Sequence, residues 1–162
     1  VDRRQRQMCI RDRLETDGIA IEDNNISSNR SNDDLNLIAN GTGQITTKSI
    51  LNFDNTYKEK VNTLSSATSI TVDCNLASIH KVTLAHNTTF SLTNLSEGQS
   101  VTLIITQDGT GSRTGAFTST TGTPAFPLNQ NALSTNANFI DMVVILFDGG
   151  QTLGTMSRAF QS

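Results

Sequence analysis

The sequence predicts an all-β protein, with a short β-solenoid or meander segment followed by an antiparallel, jelly-roll-like β-sandwich head. Three observations carry that expectation. Roughly a third of the 162 residues are Ser, Thr or Asn, which favour turns and half-exposed strands over helices. Short apolar alternations of period two recur along the chain, bounded by Gly, Asn and Asp turn signals. Two apolar runs stand out: Val101, Leu103, Ile104 and Ile105, short enough for a strand and too short for a helix, and Phe139–Phe147 (FIDMVVILF), apolar on both faces apart from Asp141. Aromatics make up 5% and Trp is absent, so the core is thin or completed by another subunit. No run reaches the ~18 apolar residues of a membrane span. Cys9 and Cys74 share no metal-ligand spacing and do not make a disulfide scaffold.

The first thirteen residues, VDRRQRQMCIRDR, carry Arg3, Arg4, Arg6, Arg11 and Arg13. At face value this is a basic arm able to touch phosphates, but it lacks aromatic interleaving. The string resembles translated sequencing-adapter DNA at the edge of an assembled metagenomic contig, which implies a disordered artefact over residues 1–13. A start at Val1, not Met, fits a fragment. Setting the arm aside leaves seven basic against thirteen acidic residues, an acidic chain for which nucleic acid is an unsuitable partner.

Residues 14–53 read as stalk-like short β rungs. Ile19/Ile21, Ile26, Leu35/Leu37 and Ile45 look like inward positions on strands of three to five residues. Asp23-Asn24-Asn25, Ser31-Asn32-Asp33 and Asn40-Gly41-Thr42-Gly43 are the corners. Such strands bury too little to offset ~1–2 kcal/mol of backbone entropy per ordered residue, so they need stacking on each other or on sister chains. Asp33-Asp34 lacks the Asp/Asn ladder and downstream Glu of a calcium loop and reads as a solvated turn. The pattern GIAIEDNNISSNRSNDDLNLIANGTGQI resembles a stalk-like module repeated in tail fibres and related appendages of tailed phages. Gly18, Ile19, Ile21, Asp23, Asn24, Ile26, Ser31, Asn32, Leu35, Leu37, Gly41, Thr42, Gly43 and Ile45 carry that likeness.

Residues 54–68 form a linker into which a short helix fits, because Tyr57, Val61 and Leu64 share one helical face. From 69 to 162 alternation is persistent: Ile70/Val72, Val82/Leu84, Phe90/Leu92, then Val101, Leu103 and Ile105. Gln107-Asp108-Gly109-Thr110-Gly111 reads as a tight hairpin reversal leading to Phe117. A phosphate loop would need a Lys after the last glycine and a helix beyond it, whereas Ser112-Arg113-Thr114 follows. Pro124 and Pro127 mark a loop around Phe126. Burying the eight apolar side chains of Phe139–Phe147 is worth ~12–24 kcal/mol gross. It demands cover on both faces. Asp148-Gly149-Gly150 then turns the chain into Thr152–Phe160.

The order SITVD, HKVTLAHNTTFSLTNLSEGQSVTLIITQDGTGSRT, a proline loop and STNANFIDMVVILFDGG resembles a C-terminal head domain of phage tail and virion structural proteins, over about residues 67–155. The loop at Gly122–Asn129 lacks the Trp-Pro-Gly-Gly type of sequence usual there, and Thr152-Leu153-Gly154 lacks the customary aromatic. The resemblance implies a virion location, other virion proteins as partners, and a homotrimer acting by assembly and display.

No catalytic constellation stands out, and the sequence points to no cofactor and no metal. His80 and His86 lie about 20 Å apart if one strand holds both, too far to share a metal. Asp141 reads as a hydrogen-bonded structural carboxylate closing a turn at its strand's start. A polysaccharide-degrading tailspike needs two carboxylates ~5–9 Å apart and aromatic sugar platforms, which one Tyr and no Trp hardly supply. The alternative to a purely structural role is a module contacting host surface glycans through the Asp108–Arg113 and Thr120–Asn131 loops. Its contact residues would be Asp108, Thr110, Ser112, Arg113, Asn129 and Asn131.

Overall fold

A computed structural model describes residues 13–16, 19–22, 25–28, 30–41 and 43–161. The expectation for the basic arm therefore lies almost wholly outside the described residues. The chain divides into two compact units, Val1–Asp54 and Asn55–Ser162.

In the first unit, strands β1 (Arg13–Thr16), β2 (Ile19–Glu22) and β3 (Asn25–Ser28) pair as an antiparallel meander. Beyond it, residues 30–60 contain no strand among the described positions. At two of the expected corners Asn32 and Gly41 adopt positive φ, and Gly43 N–H donates to the Asn40 carbonyl at 3.1 Å, while Asp23-Asn24-Asn25 lies partly outside the described residues. Between and beyond the later two corners no strand forms among the described residues. Leu35, Leu37 and Ile45 are exposed, and Ile38 and Ile50 are 86% and 97% exposed. Three-residue alternations without a stacking partner gain too little burial to hold a ladder.

The second unit corrects two expectations. Where two helical turns fit the pattern, Val61–Thr63 is a strand, β4. It is held by parallel pairing to β6 (Ile79–Leu84), and Leu64 N–H donates to the Lys81 carbonyl at 2.8 Å. A two-turn helix is marginal in water, and tertiary pairing overrides it.

The second correction concerns the head. Its strands are β5 (Ser69–Asp73), β6, β7 (Thr88–Thr93), β8 (Ser100–Gln107), β9 (Gly115–Ser119), β10 (Ile140–Phe147) and β11 (Thr152–Phe160), with one 3-10 turn at Pro127–Asn129. From β4 to β9 the chain alternates between two sheets, and each strand lies parallel to the one before it in the same sheet. The sheets are thus mixed: β4 to β9 pass three times between them with parallel pairing, where the sequence predicts antiparallel strands. One sheet is β5-β7-β9, wholly parallel; the other has the order β11-β10-β8-β6-β4, with antiparallel pairing only between β8, β10 and β11.

The physical reason lies in the connections. A hairpin would return β8 beside itself, but the stretch from Asp108 to Thr114 carries the chain across to the other sheet. There Thr88 N–H donates to the Thr114 carbonyl at 2.9 Å, so β9 joins β7. Parallel neighbours require such a crossover, and the opposite sheet supplies it in place of a helix.

Between the sheets lies one core. Ile70, Val72, Val82, Leu84, Phe90, Leu92, Val101, Leu103, Ile105, Val143 and Ile145 are all buried in a single cluster. The Phe90 and Phe117 rings stack at 5.4 Å between centroids. The proline loop closes one margin. Ala125 N–H donates to the Thr152 carbonyl, Gly154 N–H donates to the Ala125 carbonyl, and the Phe126 ring covers bare Gly154, where a Cβ would come within 2.6 Å of it.

The outward faces differ in chemistry. On the three-stranded sheet they are Ser69, Thr71 and Asp73, then Thr89, Ser91 and Thr93, then Ala116 and Thr118. Thr118 Oγ1 donates to the Phe90 carbonyl at 3.2 Å and Thr93 Oγ1 to the Val72 carbonyl at 3.5 Å, so part of this hydroxyl surface is tied to the ladder. On the five-stranded sheet the registers set rows across the strands. One runs Thr155, Val144, Thr102, Ile79, Val61; the next runs Ser157, Met142, Ile104, Lys81, Thr63. Leu153 and Leu146 pair at one end and Phe160 with Ile140 at the other.

Candidate functional site

The loop after β8 is built by side chains that imitate backbone pairing. Period two directs Gln107 inward, where it is fully buried. Its Nε2 donates to the Arg113 carbonyl at 2.8 Å and its Oε1 accepts the Arg113 N–H at 2.9 Å. Asp108 follows. Its Oδ1 accepts the Thr110 and Gly111 N–H groups, at 3.1 and 2.8 Å, and its Oδ2 accepts from Arg113 Nη2 and Nε, at 2.8 and 3.1 Å. The Arg113 guanidinium, helped by those two amides, holds the Asp108 carboxyl below the usual carboxylate range. Gly111 is required here. At φ +72° its Cβ would lie 2.5 Å from the Thr135 carbonyl oxygen. Ser112, at φ +61°, donates its N–H to that same carbonyl at 2.7 Å.

The six residues expected to contact a ligand are thus placed unequally. Asp108 and Arg113 spend their charges on each other, which leaves exposed Thr110 and Ser112 as the polar tips of a pinned loop. Asn129 and Asn131 sit in and just beyond the 3-10 turn; Asn129 is at φ +56°, and Asn131 N–H donates to its carbonyl at 3.0 Å. No hydrogen bond among those described joins Asn129 or Asn131 to the Asp108–Arg113 loop.

Asp141 is fully buried and structural in its bonding. It accepts from Ser134 N–H, Ser134 Oγ and Ala159 N–H, joining the loop before β10 to the bulge where β11 carries an extra residue. His80 is also fully buried. Nε2–H donates to the Ala77 carbonyl at 3.0 Å, which leaves Nδ1 to accept from Asn62 on β4 at 3.2 Å. Burial pushes the His80 imidazole below its ordinary value. His86 is exposed and bonds to Ser66 Oγ at 3.1 Å. Burial likewise pushes the Cys74 thiol up to about 11, so it stays protonated and inert at neutral pH.

Among the described residues no cluster of three His, Cys, Asp or Glu side chains is placed to hold a metal ion. No helix there is long and apolar enough to cross a membrane. The outward face of the five-stranded sheet does carry a groove of about 300 Å³, lined by Thr63, Lys81, Val82, Thr83, Ile104 and Thr106. Comparison with protein-family models, with curated proteins and with solved structures returns no match.

The sequence pattern missed the Gln107 clamp and the Asn62–His80 pair. A signal for the first was present: Gln107 continues the inward series Val101, Leu103, Ile105. The second depends on parallel pairing between β4 and β6, for which no local signal exists.

Proposed function

We propose that this chain is a non-catalytic structural component of a tailed-phage virion, from a tail fibre or similar appendage, acting by assembly and display. It would work as a homo-oligomer, a trimer by resemblance, within the virion and beside other virion proteins. The observation that carries the reading is β10. Its Asp141, Val143 and Ile145 side enters the core, while Met142 and Leu146 on the other side remain 37% and 36% exposed. A central strand that is apolar outward as well as inward belongs in a larger assembly. The three parallel passes between the sheets also support a finer description of the head as a short two-sheet β-solenoid closed by the β10–β11 hairpin.

Multi-angle light scattering on the full chain tests the proposal. A mass of two or more 17.5-kDa chains is expected, and a stable monomer at micromolar concentration would overturn it. A second reading, contact with host surface glycans, is favoured by the rigidity of the Asp108–Arg113 loop, since a pre-set loop loses little entropy on binding. Binding on a glycan array that disappears when Thr110 and Ser112 become alanine would add that role; an empty array would leave display alone.

A further inference from the structure

We infer that the outward face of the five-stranded sheet is the surface on which a second copy of this chain docks, with the hydroxyl face of the three-stranded sheet left in solvent. The inference rests on the self-assembly reading above, though not on its count of three, because a face that meets its own copy squarely closes a pair; it adds which surface meets which partner.

Size is the first argument. Five strands ~4.8 Å apart and averaging ~7 residues at ~3.3 Å each present ~500–600 Å². Two copies would bury ~1,000–1,200 Å², at the threshold of a specific stable interface. Charge is the second. The chain carries 15 acidic against 12 basic residues, yet the cross-strand rows of this face contain no Asp or Glu. Lys81 is the cation there, on a flexible stem that can lie along apolar surface and keep its ammonium in water. A surface that meets its own copy cannot carry a strong field of one sign, because like charges would face like. This face satisfies that condition, and it is where copies of an acidic chain approach at least electrostatic cost. Shape is the third. Apolar sheet faces stack on one another at about 10 Å, and a second copy brings a matching sheet, with Leu153, Leu146, Met142 and Ile104 supplying the apolar contact.

The test compares two double variants of the full chain by light scattering, with far-ultraviolet circular dichroism reporting the fold. Met142→Lys with Leu146→Lys puts charge on the proposed interface; Thr71→Lys with Ser91→Lys puts it on the other sheet. The first should dissociate, with self-association weakened at least about a hundredfold, and the second should keep the wild-type mass. If the first pair loses its β spectrum, Leu153→Ser, at an exposed edge-strand position, replaces it with the same expected dissociation. A wild-type oligomer that survives charges on the five-stranded sheet would overturn this surface and leave self-assembly standing. A wild-type monomer would leave the face to a partner other than this chain, and would overturn both.

Discussion

The two sheets of the head share one core and differ in what they turn outward. The three-stranded sheet shows Ser, Thr, Asp and Ala; the five-stranded sheet shows Val, Ile, Met and Leu between its threonines. Their inner faces are alike, with Phe90 and Leu92 on one and Leu103 and Ile105 on the other, all fully buried. Since one chain builds both sheets by the same alternation, the contrast is a property of the outer residues. Burial inside the chain therefore accounts for only one face of the five-stranded sheet. Water is a sufficient neighbour for the first sheet and a poor one for the second.

The largest expected effect tests whether the sheets are one folding unit despite their different exteriors. Phe90→Ala removes a fully buried ring from β7 that stacks on Phe117, and should cost about 3–5 kcal/mol in urea unfolding, in a single transition. Two separated transitions would mean that the sheets fold apart and the contrast joins independent layers. Next comes Asp141→Ala, which strips the acceptor from Ser134 and Ala159 N–H groups at the β10–β11 bulge. About 3 kcal/mol should be lost, with amide-exchange protection falling at β11 before it falls in the three-stranded sheet.

Smaller again is the acid response. The folded-state pKa of His80 lies below its ordinary 6.5, so the unfolded chain binds the proton more readily. Stability contributed by neutral His80 is fully present above pH 6.5 and declines as pH falls below it; a His80→Gln variant should lose this first inflection. Asp73, Asp108 and Asp148 are held below 3.8, through Asn94, Arg113 and the Gln151 amide respectively, and their contributions are lost only in stronger acid. The smallest effect sharpens the contrast itself. Ser91→Lys, on the outer face of the three-stranded sheet, should change stability by less than about 0.5 kcal/mol.

Much of the core was legible because period two states which side chains face inward, and Ile70, Val72, Val82, Leu84, Phe90 and Leu92 are buried as that period requires. Sheet membership was not legible. Asp108-Gly109-Thr110-Gly111 suits a hairpin and a crossover equally, and the pairing of β9 with β7 is a non-local contact that local turn chemistry does not encode. The tight-turn chemistry was read correctly at Asp148-Gly149-Gly150, where Asp148 Oδ1 accepts from Gly150 and Gln151 N–H groups and the chain does reverse into β11. Of the candidate contact residues, sequence placed all six on loops but did not reveal that Asp108 and Arg113 neutralise each other. The apolar excess of Phe139–Phe147 was visible at once, since alternation would have put polar residues at Met142, Val144 and Leu146.

Methionine oxidation asks most directly whether that outer face is covered in solution. With dilute peroxide and mass spectrometry on the full chain, Met142 should gain oxygen about as slowly as half-buried Met156, on the core side of β11, and should become fast only after Met142's neighbour is changed by Leu146→Lys. Rapid oxidation of Met142 in the wild-type protein, while Met156 is still protected, would show the face open to water and contradict the account.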